Sequence, residues 1–570
     1  MSLAAIQMLK RRWGLPDAAA PVLERFFTSW AAGHTSLELT DEEADLLAGS
    51  AAVTTASDGR DGSSPAPLVL RGTRLQSWRL DQAETRVAAR LRELANEKAQ
   101  GSAGDTSHAP PGDGDDLAQL FPDPHSAQRR AAELGLRRAL ALVTGGPGTG
   151  KTTTAARLLA LLANRNPGIR VALAAPTGKA AARLGEAIAQ AARELDGPLA
   201  SVRPRLQRAA FQARTLHRLL RWHPRTDRCR FHAGNPLPYD VVVVDEASML
   251  DLVLWDRLLS ALGRGTRLVV LGDHRQLKSV QPGRVLAEMI IAAAADGNSG
   301  AAGGASEATD SPLTDCHVEL DRNYRFQSHP GISRFAAAIR DYDGETALQT
   351  LTNKDYRDEL FYYPSAQVDN ALEQVWPQVM AVVRASTPEE ALAALTRVRI
   401  LCALRRGRYG VEGVNARVEA RLRREGLPAG EWAHGRPVLV TANDPHSGLF
   451  NGDVGVLLNR EDGRGITAWF PGLQEPRSVP LGALPSHDTA WAMTVHRSQG
   501  SEFESVLLVL PPQPHELAGP ELLYTGVTRA RSRILLAADE GALRAACQRR
   551  PPRRTGLLEK LRHPDGHSGT

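Results

Sequence analysis

From about residue 118 onward, short unbroken apolar runs alternate with segments of helical spacing. The runs are 139–143, 171–175, 241–244, 268–271, 398–403, 505–510 and 533–537. A strand without polar alternation has both faces covered, so such runs separated by helices predict parallel sheets flanked by helices. One sheet is expected before and one after about residue 327, giving an α/β protein with two lobes, 116–326 and 327–570. Within the second lobe, 437–486 changes to short strand-like runs and turns such as Asn451-Gly452-Asp453 and Glu461-Asp462-Gly463, as a small β insert would. Residues 1–115 read as a separate, mostly helical domain with a docking role. Val22, Phe26, Phe27 and Trp30 have helical spacing, 68–70 is strand-like, and 81–94 is a further helix. Stretches 51–67, 100–116 and 292–312 are rich in small and polar residues, lack apolar periodicity and are expected to be linkers or insertions.

Composition narrows the setting. A chain of 570 residues exceeds one core, and about three or four domains are expected. Lys and Arg outnumber Asp and Glu by 69 to 64, too slight an excess to mark a polyanion-binding protein. The run from Arg549 to Arg554 is locally basic, as a solvated end or a partner contact. Cys229, Cys316, Cys402 and Cys547 form no CxxC pair, which argues against a zinc or iron–sulfur site and for a reducing compartment. No apolar run approaches the ~20 residues that cross a bilayer, and Lys10-Arg11-Arg12 is not followed by a secretory apolar core. A cytoplasmic protein without membrane contact is expected.

The first chemical signal is Gly145, Gly146, Pro147, Gly148, Thr149, Gly150, Lys151 and Thr152, between an apolar run and a helix-like segment, 153–163. Glycines let backbone N–H groups converge on phosphate oxygens, and the helix N-terminus adds positive potential. Lys151 would reach the β- and γ-phosphates of ATP, and the Thr152 hydroxyl would join a Mg²⁺ shell. The run 241–244 then delivers Asp245 and Glu246 to a strand end, where ligands sit in open α/β sheets. Asp245 suits Mg²⁺, and Glu246 the water that attacks the γ-phosphate. Gln276, after the run 268–271, can sense that phosphate without carrying charge. Arg325 and Arg529 are candidate phosphoryl-stabilising fingers, although each taken singly also reads as a surface ion pair. The loops at Pro176, Thr177 and Lys179, at His217, and at Thr494, His496 and Gln499 suit sugar–phosphate contacts without base reading; any one of them also reads as ordinary turn chemistry.

Taken in order, these residues resemble a superfamily 1 helicase, and within it the RecD family of the bacterial RecBCD helicase–nuclease. The resemblance rests on GGPGTGKTTT (145–154), APTGKAAARL (175–184), TLHRLL (215–220), VVDEASM (243–249), LGD (271–273) with Gln276, YRF (324–326), LFNGD (449–453), WAMTVHRSQGSEF (491–503) and YTGVTRAR (524–531). It covers residues 118 to the C-terminus and implies two RecA-like P-loop lobes with an SH3-like insert that grips the strand. It also implies a motor moving 5′ to 3′ on single-stranded DNA from duplex ends, assembled with RecB and RecC chains. By the same resemblance Gln128 recognises adenine, Glu502 contacts the nucleotide, and Asn451 lies on the strand-gripping insert. Arg275 departs from the family, which usually has Asp there, so altered local ion pairing is expected.

Three other readings compete with a motor inside a RecBCD-type complex. A stand-alone RecD-like repair helicase would carry a longer N-terminal region with helix–hairpin–helix repeats. A regulatory subunit with a vestigial ATP site fits poorly with the presence of Lys151, Asp245, Glu246, Gln276 and Arg529. A nuclease would need paired acids with a nearby strand lysine, which the sequence does not offer.

Overall fold

The structure is a computed structural model describing residues 3–55, 66–97, 113–279, 281–294, 311–444, 446–460, 465–472, 475–549 and 555–562. Its strands are β1 (Ser36–Glu38), β2 (Val53–Thr55), β3 (Leu68–Arg71), β4 (Arg74–Ser77), β5 (Leu140–Gly145), β6 (Val171–Ala175), β7 (Arg214–Thr215), β8 (Trp222–His223), β9 (Arg228–Cys229), β10 (Val241–Val244) and β11 (Arg267–Gly272). They continue as β12 (His317–Leu320), β13 (Leu360–Tyr363), β14 (Val398–Cys402), β15 (Pro437–Val440), β16 (Val454–Asn459), β17 (Ile466–Phe470), β18 (Arg477–Pro480), β19 (His487–Thr489), β20 (Ala492–Thr494), β21 (Phe503–Val509) and β22 (Ala530–Ala537).

The four valines of β10 are each at most 1% exposed, because helices cover both faces of their sheet. That sheet is six-stranded, in the order β12-β5-β11-β10-β6-β7, with every neighbouring pair parallel. The second lobe has a parallel five-stranded sheet, β13-β22-β21-β14-β20. The apolar runs read from the sequence are the inner strands. The strands that the runs missed (β7, β12, β13, β20) are short or half-buried pieces, such as His317–Leu320 with its His and Glu, and they lie at sheet edges.

Between β14 and β20 the second lobe carries an antiparallel five-stranded sheet, β18-β17-β16-β15-β19. Its own small core holds Val438, Leu457, Ala468, Phe470 and Val479. The insert runs on to Thr489, slightly past the expected bound at 486.

The described residues of 3–97 are mostly helical, with helices Leu3–Trp13, Ala20–Ala31, Asp41–Ala48 and Trp78–Asn96, and they add a four-stranded sheet, β1-β4-β3-β2. β2 falls inside a stretch expected to be a linker; Val53 is 3% exposed and pairs in parallel with Leu68. Residues 56–65, 100–112 and 295–310 of the expected linkers, 550–554 of the basic run and the 461–463 turn lie outside the described residues. The expected boundary near 115 also needs correction. Leu80, Val87, Leu91 and Leu94 on helix Trp78–Asn96 are buried at helical spacing and share one core with Trp255 and Leu258 of helix Leu252–Ala261. Arg86 adds a two-pronged bond to Asp256, at 2.9 and 2.6 Å. By packing, that helix is part of the first lobe, and the separate N-terminal core gathers around Ile6, Leu23, Phe26, Leu47 and Leu75.

The C-terminal helix Leu557–Arg562 returns from the second lobe to the first. Leu557 and Leu561 enter the first-lobe core, and Lys560 Nζ donates to Asp81 Oδ1 at 2.7 Å and Glu84 Oε2 at 3.2 Å. Among the described residues no helix is long and apolar enough to cross a membrane.

Candidate active site

The phosphate loop leaves the C-terminal end of β5 and becomes the helix Lys151–Arg165. Two of its glycines are required sterically. Gly148 has φ +79°, and a Cβ there would lie 2.4 Å from Arg325 Cβ; Gly150 has φ +85°, and a Cβ would lie 2.4 Å from Gln128 Nε2. The loop is therefore shaped around Gln128 on one side and Arg325 on the other. Lys151 Nζ donates to the carbonyls of Gly145 and Gly146 at 2.7 and 3.0 Å, which holds it folded over its own loop. Gln128 Nε2 donates to Thr149 O at 3.2 Å.

β10 ends at Asp245 and Glu246. The Glu246 N–H donates to Asp245 Oδ1 at 2.8 Å, and Glu246 itself has φ +51°, a left-handed backbone that non-glycine residues adopt at a cost. Burial, and secondly the negative charge of Glu246, push the Asp245 carboxyl up to about 6, while Lys151 pulls the other way.

The second lobe closes the site. Arg529 is 3% exposed and fully engaged: Nη2 donates to Gln276 Oε1 at 2.8 Å, Nη1 to Ser501 O at 3.1 Å and Nε to Thr525 O at 3.1 Å. Gln276 Nε2 in turn donates to Asp273 Oδ2 at 3.0 Å. Arg325 Nη2 donates to Glu502 Oε1 at 2.5 Å, and Arg531 Nη2 reaches Glu502 Oε2 at 3.2 Å. Burial would raise the Glu502 carboxyl, but Arg325, Arg183, Arg529 and Arg531 hold it below the usual range. Arg275, where an acid was expected by resemblance, pairs with Glu319 on β12 at 2.6 Å.

The residues expected at the nucleotide come together. Pro147, Gly148, Gly150, Lys151 and Thr152 face Asp245, Glu246, Gln276, Arg325, Glu502 and Arg529 around one cavity of about 300 Å³. Gln128 and Thr149 line an adjoining hollow of about 350 Å³ that also holds Arg322 and Tyr324. Gly145 and Gly146 lie behind, where a Cβ on Gly146 would meet the Tyr524 hydroxyl at 2.9 Å.

The residues expected at DNA are more scattered. The Thr177 hydroxyl caps helix Gly178–Arg193 by accepting from Ala180 N. Lys179 lies beside Asp453 of the insert, and burial first, with nearby Arg183, pulls its ammonium down to about 7. Pro176 is half-buried at the end of β6, and Asn451 is exposed at the tip of the insert, its N–H bonded to Asn443 Oδ1 at 2.9 Å. His217 stands edge-on to Trp222 with ring centroids 5.0 Å apart. Thr494 and His496 are half-buried at the end of β20. Gln499 instead reaches the first lobe, where its Nε2 donates to Leu277 O at 3.3 Å.

Several residues outside the expected set also stand at these surfaces. Phe450 of the insert sits against Gly178 and under Arg218, 4.7 Å from ring centroid to guanidinium. Arg183 lines the cavity of about 300 Å³ and Tyr324 the adjoining hollow of about 350 Å³. Arg183 sits inside the quoted stretch 175–184, one helical turn beyond Lys179, and that spacing was the available signal.

Residues 128–282 match the family model described as an AAA domain, and residues 489–537 that of a UvrD-like helicase C-terminal domain. The RecBCD enzyme subunit RecD of Mycolicibacterium smegmatis is 41% identical over 458 residues, 78% of this chain and 77% of that one. The protein of the same name from Haemophilus influenzae is 32% identical over 486 residues, 78% of this chain and 74% of its own. The ATP-dependent RecD2 DNA helicase of Deinococcus radiodurans is 32% identical over 429 residues, 74% of this chain and 50% of that protein.

Proposed function

This chain belongs to the RecD family, and from that premise we propose that it is an ATP-dependent 5′→3′ single-stranded DNA translocase and helicase, working with RecB and RecC chains in exodeoxyribonuclease V at DNA ends. The observation that carries the motor reading is the direct bond between Arg529 of the second lobe and Gln276 of the first, at the cavity that Lys151 lines.

Each side chain has a task in that reading. The hollow beside Gln128 and Tyr324 offers an amide to a purine edge and an aromatic ring to its face. Lys151 turns from its loop carbonyls to the β- and γ-phosphates. Thr152 and Asp245 would hold Mg²⁺: the Asp245 carboxyl is buried beside another acid with too little positive charge nearby, so a divalent cation fits the donor set. The ion, when bound, neutralises charge on the phosphate oxygens. Glu246 orients and deprotonates the attacking water, and Arg325 and Arg529 stabilise charge on the transferring phosphoryl. Because Arg529 and Gln276 belong to different lobes, loss of the γ-phosphate alters a contact between the lobes, and the cleft opens.

The DNA path runs over Pro176, Thr177 and Lys179, past His217, to Asn451, Thr494, His496 and Gln499. Gln499 also holds Leu277, next to Gln276, so the strand and the phosphate sensor share one short stretch of chain. The test is co-purification with candidate RecB and RecC chains, followed by unwinding of duplexes with a 5′ or a 3′ tail. Unwinding led by this chain is expected from the 5′ tail in a ternary complex. A preference for the 3′ tail would sink the direction, and a chain that unwinds without binding either partner would favour the stand-alone reading.

A further inference from the structure

The nucleotide cavity contains a fourth cation that the reading above leaves unused. Helix Gly178–Arg193 presents Ala180, Arg183, Leu184 and Ala187 to it, positions three or four apart on one helix face. Only Arg183 among them is charged, and the two alanines leave its guanidinium room to approach a ligand.

The other three cations of the cavity already have partners in the protein. Lys151 holds two loop carbonyls, Arg325 holds Glu502, and Arg529 holds Gln276 and two carbonyls. Arg183 has no hydrogen bond or ion pair to any described residue. Burial favours loss of its charge; Glu502, Glu186 and Glu246 oppose that loss and Arg531 adds to it. A guanidinium drawn from water with its forked donors unmatched costs free energy unless an acceptor arrives, and phosphate oxygens match that fork. A DNA contact fits less well. Lys179, one turn earlier, is the member of this helix beside Asp453 of the insert.

We propose that Arg183 is a further catalytic residue of this ATPase, contacting the γ-phosphate on the side from which Glu246 directs the attacking water. The assignment rests on the ATPase reading above. Arg183 belongs to the same lobe as Lys151, so unlike Arg529 it stays at the phosphate whether the cleft is open or closed. Its contribution is to charge that develops during transfer, and binding of ADP, which lacks the γ-phosphate, does not depend on it.

The experiment compares the full chain with Arg183→Ala and Arg183→Lys, reading DNA-stimulated ATP turnover and the affinities for ADP alone and for ADP with aluminium fluoride. Arg183→Ala is expected to lower kcat by roughly tenfold to a hundredfold, with ADP affinity kept. Affinity for the fluoride complex should fall by a similar factor, and Arg183→Lys should recover part of both. Turnover within about twofold of the parent, or an equal loss of ADP and fluoride-complex affinity, would overturn the assignment. A parent chain without DNA-stimulated turnover would count against the ATPase reading itself, and the two affinities would still decide the role of Arg183.

Discussion

Arg529 donates to the Gln276 side-chain oxygen over 2.8 Å from one lobe to the other, and both side chains are almost fully buried. Beside this bond Leu277 N–H donates to Thr525 Oγ1 at 2.9 Å, so the segment after β11 and the segment before β22 are tied at adjacent residues. A guanidinium fixed in this way is already positioned for a transition state. Arg529→Ala is therefore expected to keep ATP binding and to lose roughly 10³-fold or more of DNA-stimulated turnover. Nucleotide affinity and turnover measured on one preparation check this; equal loss of both would mean that Arg529 only holds the lobes together.

Lys151 spends its donors on Gly145 and Gly146 carbonyls that remain part of a rigid loop. Lys151→Gln should leave folding intact, since the amide can still donate to one of those carbonyls, while the charge at the β- and γ-phosphates is gone. DNA-stimulated ATP turnover is expected to fall to background, with an unchanged circular-dichroism melt. Unaltered turnover in that variant would dismiss the motor reading.

The inner strands and the phosphate loop were legible because both are local. A run such as Val241–Val244 is apolar at every position, and Gly148 and Gly150 each answer to a φ that other residues resist. Edge strands were not legible, since His317–Leu320 pairs on one side only and carries polar residues towards Thr144 and Arg275. Nor was the place of helix Trp78–Asn96. Its spacing predicted a helix at 81–94 but not that Trp255, far along the chain, would cover it. The same limit applies within the site. Arg325 and Arg529 stood out beside sequence motifs, whereas Arg183 gained meaning only when a helix face was set opposite the phosphate loop.

Arg275 offers a test of what does not matter. Its bond to Glu319 joins two side chains that are 34% and 36% exposed, and ion pairs of that exposure contribute on the order of 0–1 kcal/mol. Gln276 keeps its own partners, Asp273 and Arg529. Arg275→Ala should therefore change ATP turnover by less than about twofold. A loss as large as that from Arg529→Ala would show that the Arg275–Glu319 pair orients the sensor segment.

Glu288 gives the fold a pH dependence remote from the phosphate loop. It is 5% exposed on helix Val285–Ala293, beneath the returning C-terminal segment; Oε1 accepts from the Thr555 hydroxyl and Oε2 has no hydrogen-bond partner among the described residues. Burial pushes its carboxyl up to about 7; Glu84 adds to the rise, while Thr555, Arg284 and Arg74 oppose it. Between the ordinary value, 4.5, and about 7 the unfolded chain sheds a proton that the folded chain keeps. Stability therefore falls as pH rises through that window, by on the order of 3 kcal/mol when the whole shift is counted. Glu288→Gln keeps the shape and the acceptor for Thr555 and cannot ionise. The variant should match the parent near pH 5 and exceed it near pH 8, by several degrees in the unfolding midpoint of the lobe that contains this helix. An equal difference at both pH values would show that Glu288 is ionised in the folded protein and that Arg74 and Arg284 outweigh its burial.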